Sequence, residues 1–114
     1  MKVIRFEELS DFLPPGHSGV VNRLLVGREN GDDGSVSVWH GTLEPGGCSD
    51  VHVHEGSLQI YVGLVGEMTV GDGERAETLD RMTTAVFEKG TRHSIANHAD
   101  ERAEVLVISV PALR

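Results

Sequence analysis

Cysteine, aromatic residues and positive charge are all scarce in this 114-residue sequence. The single cysteine, Cys48, excludes internal disulfides and is typical of a protein from a reducing cytosol. Asp and Glu number 18 against 10 Lys and Arg, and the net charge of −8 argues against nucleic acid or an anionic membrane as a partner. The longest apolar runs, "IYVGLVG" and "VLVISV", are too short to cross a bilayer. We therefore expect a cytoplasmic protein with no secretory leader and no membrane partner.

Glycine and valine are frequent, which suits short strands and tight turns better than a helical bundle. Turn signals recur about every eight to twelve residues, the spacing of an all-β sandwich or barrel. One helical turn is expected in "FEELSDF", and "EPGG" is expected to turn the chain. The candidate strands are "VIRF", "VVNRLLVG", "SVSVWHGTL", "VHVH", "SLQIYVGLVG", "EMTV", "AETL", "TTAVFE", "HSIAN" and "AEVLVISV". The length favours a single domain, residues 1–114.

Two histidines stand one residue apart in the stretch "GGCSDVHVHEGSLQ". Alternate residues of a strand share a face, so His52 and His54 point the same way and Glu55 points away from them. The residues "EGS" reset this alternation, and beyond them Gln59 and Tyr61 share a face. Two imidazoles side by side on a strand can hold one cation from adjacent directions.

A wider pattern of spacing surrounds the histidine pair. It reads Gly46, five residues, His52, one residue, His54, four residues, Gln59, six residues, Gly66, and further on Gly90, two residues, His93, three residues, Asn97. Within residues 36–110 this pattern resembles the two signature motifs of the cupin superfamily. The resemblance implies a double-stranded β-helix, or jelly roll, in which two antiparallel sheets form a small barrel. It also implies metal ligands at His52, His54, Gln59 and His93.

Three positions depart from the family pattern. Met82 and Glu88 stand where the family usually has glycine and proline, and both positions concern turns. Gln59 stands where a glutamate ligand is usual, so four neutral ligands would surround the ion. A divalent ion would then keep its double charge and attract anionic oxygens, such as those of enolates and carboxylates. The amide NH₂ of Gln59 can also donate to a substrate, and Tyr61 is a candidate proton donor on the same face.

Three imidazoles and an amide oxygen suit a divalent transition metal such as Zn, Fe, Ni, Cu or Mn. The favoured function is an isomerase, lyase or polyketide cyclase, with Gln59 and Tyr61 as catalytic residues and an anionic or enolisable small molecule as substrate. An Fe- or Ni-dependent dioxygenase of the quercetinase or thiol-dioxygenase type is an alternative, because three histidines also suit oxygen activation. A non-catalytic ligand-binding module is a second alternative, since one fold can host many activities.

The opposite face of the strand "SLQIYVGLVG" predicts how the protein associates. Ile60, Val62 and Leu64 form an apolar stripe on that face. The stripe needs cover from the chain itself or from a second copy, and we expect a homodimer.

Two further polar residues receive structural expectations. His17, in "PPGHSG", is expected on an exposed loop, with the mouth of the barrel as the alternative. Asn97 is expected to fix a turn through hydrogen bonds of its side chain.

Overall fold

Strands account for most of the computed structural model, which describes residues 1–113. They are β1 (His17–Val26), β2 (Ser37–Ser49), β3 (His52–Val53), β4 (Leu58–Val65), β5 (Met68–Gly71), β6 (Ala76–Leu79), β7 (Thr84–Phe87), β8 (Arg92–Ala96) and β9 (Ala103–Val110). Two 3-10 turns, Phe6–Glu8 and Arg28–Asn30, accompany them. Within residues 1–113, no helix has the length and apolar character needed to cross a membrane. The all-β prediction is confirmed.

The strands form an antiparallel barrel that is nearly closed. Their order is β6-β5-β8-β2-β9-β4-β7, with β1 paired to β2 and β3 paired to β8. Both halves of the barrel share β2, because its residues 37–43 pair with β9 while Cys48 pairs with Ala96 of β8. This is the arrangement expected of a double-stranded β-helix. A groove marks the seam between β6 and β7, the two ends of the strand order.

A single apolar cluster lies between the two halves. Its most deeply buried members are Leu43, Met68, Leu79, Ala103 and Val105. Along β2, β4 and β9, buried and less buried residues alternate because successive side chains of a strand point to opposite faces. Each large aliphatic side chain buried in this way contributes about 1.5–3 kcal/mol to stability.

The segment "EPGG", residues 44–47, does not turn the chain, so that prediction is wrong. β2 continues through it to Ser49, with a shift of its register against β1. Gly46 has a φ of +83°, a left-handed value that favours glycine. A Cβ on Gly47 would lie 2.6 Å from the carbonyl oxygen of Gly19. The two glycines therefore let one strand bend from one sheet into the other.

The segment "VIRF" is not a strand, and that prediction is also wrong. Among residues 1–113 no strand pairs with it, and Val3 and Phe6 are 66% and 42% exposed. Phe6 instead begins the first 3-10 turn, inside the segment where a helical turn was expected. Side chains that suit a strand do not form one without a partner to share hydrogen bonds.

Asn97 fixes the turn that precedes β9, as expected. Its side chain is fully buried, and Nδ2 donates to the carbonyl oxygens of Leu43 and Glu101 at 3.0 and 2.8 Å. Its Oδ1 accepts the N–H of Ala99 at 3.0 Å. Because the backbone of Asn97 also bonds to the bend in β2, one residue ties the end of β8 to that bend.

Apolar side chains on the outer side of β2, β4, β7 and β9 form a surface that we call the outer apolar face. Its members, each half-buried or exposed, are Val38, Ile60, Val62, Val86, Leu106 and Ile108. Strand pairing sets Ile60 between Ile108 and Val86, and Val62 beside Leu106. At one margin the ring of Phe6 packs on His40, with ring centroids 4.9 Å apart.

Candidate metal centre

Three histidines converge inside one end of the barrel. His52 lies on β3 and pairs directly with His93 on β8, while His54 follows β3. Their candidate ligand atoms all lie within 4.8 Å of one another. The ring centroid of His93 is 4.2 Å from that of His52 and 5.0 Å from that of His54. The exposed side chains of Val51 and Val53 point the other way, as strand alternation predicts.

Main-chain carbonyls orient two of these rings. Nδ1 of His52 lies 2.8 Å from the carbonyl oxygen of Asp50, and Nδ1 of His93 lies 3.0 Å from that of Thr91. A carbonyl only accepts, so each Nδ1 carries the proton and each Nε2 keeps a free lone pair. Nε2 of His93 is buried and has no hydrogen-bond partner among the described residues. Such an atom calls for an explanation, and a bound metal supplies one.

The environment favours neutral imidazoles. Burial, together with the positive charges that His52 and His93 would carry, lowers the pKa of His54 to about 4. Burial also lowers the pKa of His93, against the opposing effect of its bond to Thr91, and His52 lowers it further. The neutral form is the one that coordinates a metal.

Gln59 and Tyr61 both face inward from β4 and are 5% and 4% exposed. Nε2 of Gln59 donates to Oγ of Ser109 at 2.9 Å, and the hydroxyl of Tyr61 donates to Oε1 of Gln59 at 3.4 Å. The Tyr61 ring lies 6.1 Å from the His93 ring, centroid to centroid. Burial raises the pKa of Tyr61, so its phenol stays protonated and remains a donor. Coordination by Gln59 stays a prediction.

His17 lies at the mouth of this site rather than on a loop away from it. Its ring centroid is 5.7 Å from that of His52, and its Nδ1 lies 2.9 Å from the carbonyl oxygen of Pro15. The pairing of His17 with Ser49, across β1 and β2, brings it there. That pairing exists because β2 continues through "EPGG". A prediction that ends the strand at "EPGG" therefore does not reveal that His17 pairs with Ser49.

Two other titratable side chains lie outside the site. Glu55 is exposed, and its carboxylate lies beside Gly90 rather than toward the histidines, as alternation predicts. His40 lies on the outer side of β2, where its Nε2 is 2.8 Å from a carboxylate oxygen of Glu104.

A cavity of about 650 Å³ opens beside the histidines. Its polar lining includes His17, His52, His54, Gln59 and Tyr61. Apolar side chains of β1, β2, β8 and β9 form the rest of its inner wall. The site therefore combines a nitrogen-rich cluster with a space large enough for a small molecule.

Comparison with known proteins agrees with this architecture. The model of the Cupin domain family matches residues 39–109, which include all three histidines, Gln59 and Tyr61. The chain is a member of the cupin family. Among curated protein sequences, none matches this cupin significantly.

Solved structures share the barrel across nearly the whole chain. A predicted oxalate decarboxylase from Thermotoga maritima has a TM-score of 0.86 at 24% identity, over 97% of this chain and 100% of that one. The polyketide cyclase RemF from Streptomyces resistomycificus has a TM-score of 0.85 at 20% identity, over 98% and 80%. A sugar phosphate isomerase from Silicibacter pomeroyi has a TM-score of 0.81 at 20% identity, over 97% and 76%. The activities that these three proteins are named for differ, so the likeness establishes the fold alone.

Proposed function

We propose that this cupin holds one divalent transition-metal ion on His52, His54 and His93, with Gln59 as a fourth ligand. We propose further that it is an enzyme acting on an anionic or enolisable small molecule, by isomerisation, elimination or cyclisation through an enolate. The observation that carries the proposal is the buried, unpartnered Nε2 of His93, which lies beside two more imidazoles.

The donor set suits Zn, Fe, Ni or Mn, because imidazole nitrogen is a good ligand for each of them. Main-chain carbonyls already hold the rings of His52 and His93 with Nε2 free, so little rearrangement is needed to bind an ion. An amide oxygen has two lone pairs, and Tyr61 uses one of those on Gln59. The second lone pair is available to the ion.

The side chains around the ligands have separate roles in this proposal. A bound ion would supply Lewis-acid stabilisation of a substrate oxygen that becomes negative. Ser109 holds the amide of Gln59, so Oε1 keeps its place in the cavity wall. Tyr61 keeps a proton on its hydroxyl beside Oε1, where it can donate to a substrate. The apolar walls replace solvent on one side of the site, so charges there are screened less than in open water.

Elemental analysis by ICP-MS of untagged protein tests the metal site directly. We expect close to one equivalent of Zn, Fe, Ni or Mn per chain. His52→Ala removes one of three imidazoles, and its metal content should fall below about a tenth of an equivalent, since loss of even a supporting group typically lowers metal affinity 10–100-fold. His40→Ala, which changes a histidine on the outer side of β2, is the matched control and should keep its metal. Full metal content in His52→Ala, or a wild type that takes up none, would refute the site.

Hydrogen–deuterium exchange at carbon tests the proposed chemistry. Metal-loaded protein is incubated in D₂O with enolisable carbonyl compounds that range from pyruvate to 2-tetralone, and the α-hydrogen signals are followed by NMR. Loss of those signals with the wild type, but not with His52→Ala, supports enolate formation. Oxygen consumption without exchange would instead identify a dioxygenase, and ligand binding with neither reaction would identify a binding module.

We also propose that the protein is a homodimer formed through the outer apolar face. Cross-strand neighbours make this face continuous, since Ile60 touches both flanking strands and Leu106 extends it along β9. A face of this kind is unfavourable in water and is covered when two copies meet.

A further inference from the structure

The cavity beside the histidines is large for the few polar groups that it contains. Its volume of about 650 Å³ falls within the range of pockets that enclose drug-sized ligands. The apolar wall consists mainly of Val20, Trp39, Leu43, Ile95, Val105 and Val107. Most of the polar groups lie at one end, where Gln59 bonds to Tyr61 and the Tyr61 ring lies 6.1 Å from that of His93, while Asn22 adds one amide to the wall beside Gly41. A ligand that fills the cavity must therefore be apolar over most of its surface and polar at one end.

Charge is almost absent from the lining. Among the described residues that line the cavity, no Lys or Arg is present, and the exposed Asp50 supplies the carboxylate. Elsewhere Arg23 pairs with Asp11 and Arg102 pairs with Glu44. A second anionic group on a ligand would be buried without a counter-ion, which is strongly unfavourable.

Taking the proposed metal function as its basis, we infer that the substrate is an apolar, ring-bearing molecule with one oxygen head group, either a carbonyl or a phenol-like hydroxyl. The head group lies at the histidines, Gln59 and Tyr61, and the rings lie against Trp39, Val105 and Val107. Small dicarboxylates leave the apolar wall in contact with water. Sugar phosphates bring several hydroxyls and a dianion to a wall where Asn22 supplies the one polar side chain away from the histidine end.

The probe for this inference is 2-naphthol, a bicyclic molecule with one hydroxyl that resembles the enol of 2-tetralone. Zinc-loaded wild type is titrated with 2-naphthol, oxalate and ribose 5-phosphate by calorimetry at several temperatures. We expect 2-naphthol to bind at least tenfold more tightly than ribose 5-phosphate, with the negative heat-capacity change of apolar burial. Trp39 is the single tryptophan and lines the cavity, so its fluorescence should change on 2-naphthol binding.

Substitutions at Val107 locate the binding. Val107→Phe fills part of the cavity and should weaken 2-naphthol binding at least tenfold with zinc content unchanged, whereas Val107→Ala should not weaken it. Val65→Phe places the same larger side chain at an exposed position outside the cavity and should behave like the wild type. The fluorescence titration of wild type still tests the inference if Val107→Phe does not fold.

Each outcome separates this inference from the proposed function. Zinc-loaded protein that binds oxalate or ribose 5-phosphate but not 2-naphthol overturns the inference and leaves the metal site intact. Binding of 2-naphthol that leaves Trp39 fluorescence unchanged, or that Val107→Phe does not weaken, places the ligand elsewhere and also overturns it. A protein that takes up none of Zn, Fe, Ni and Mn refutes the proposed function itself, before any ligand is added.

Discussion

His93 is fully buried and yet leaves one ring nitrogen without a partner among the described residues. A buried polar atom in that condition costs about 1–3 kcal/mol. Coordination of an ion would remove that cost, so the proposed metal binding would also stabilise the fold at this residue. In the proposed site, its two imidazole neighbours and the amide of Gln59 would set how strongly the ion attracts anions.

Changing Gln59 to glutamate should keep the metal but weaken the binding of anions. The new carboxylate and a bound acetate are two like charges, which about 4 Å apart would repel each other by about 4 kcal/mol at an effective dielectric constant near 20. This energy is more than a tenfold change in acetate affinity requires. We therefore expect the affinity of Co²⁺-loaded protein for acetate, followed by visible absorption, to fall at least about tenfold in Gln59→Glu. Gln59→Leu removes the amide without adding charge and is the control. An unchanged acetate affinity in Gln59→Glu would place residue 59 away from the ion.

Tyr61→Phe should separate metal binding from catalysis. The phenol donates to Gln59 and keeps its proton, so its loss removes a proton donor without removing a proposed ligand. Metal content should stay at the wild-type level, while the rate of α-hydrogen exchange should fall about 10²-fold, the lower end of what general acids contribute. Phe87→Leu, at the neighbouring ring, tests whether lost packing alone explains the effect. If both variants lose rate equally, Tyr61 serves packing instead.

Much of the site is readable from spacing, because strand alternation and two short motifs bring His52, His54 and His93 together. The bond from Tyr61 to Gln59 was not predicted, since it depends on side-chain conformations within a packed barrel. The place of His17 at the mouth was only the alternative expectation, because it requires the pairing of β1 with the far half of β2. Local patterns specify which residues share a face, whereas long-range pairing specifies which faces meet.

At the scale of elements, the turn between β6 and β7 contains an unusual backbone conformation. Met82 has a φ of 63° and is the one non-glycine residue with positive φ among residues 1–113. Its N–H donates to the carbonyl oxygen of Gly63 on β4, while the N–H of Gly63 donates to that of Thr83. These bonds hold Met82 in the left-handed region at the position where the family usually has glycine.

Met82→Gly should therefore stabilise the protein. A residue with a side chain in the left-handed conformation costs about 1–2 kcal/mol, which glycine avoids. Glycine in turn loses about 0.5–1 kcal/mol of stability, because its backbone has more freedom in the unfolded chain. We expect a net gain of about 0.5–1 kcal/mol in the free energy of unfolding, measured with urea. Arg81→Gly, one position earlier, relieves no such conformation and should lose about 0.5–1 kcal/mol. Equal losses in the two variants would contradict this account.

The fold was predictable as a class but not in two of its elements. "VIRF" has strand-like side chains but no partner strand, and "EPGG" has turn-like residues but lies within a continuous strand. In the second case the glycines serve close backbone approach, since a Cβ on Gly47 would collide with Gly19. Glycine permits a turn and a bend equally well, so composition alone does not distinguish them.

At the scale of the whole molecule, the outer apolar face predicts association. Ile60→Glu puts a charge at the centre of that face, where burial between two copies is strongly unfavourable. Size-exclusion chromatography with light scattering at micromolar concentration should show a dimer for the wild type and a monomer for Ile60→Glu. Val65→Glu, at an exposed position near the end of the same strand, should remain a dimer. A wild type that is monomeric at this concentration would rule the proposal out.

The rings of His17, His52 and His93 share one kind of support, a main-chain carbonyl two residues upstream. Any amino acid supplies that carbonyl, so substitutions at 15, 50 and 91 can leave the orientation of the rings unchanged. The positions of the rings then depend on the histidines themselves and on the number of residues between them. A site built in this way can persist as a set of sequence spacings after its neighbouring residues have been replaced.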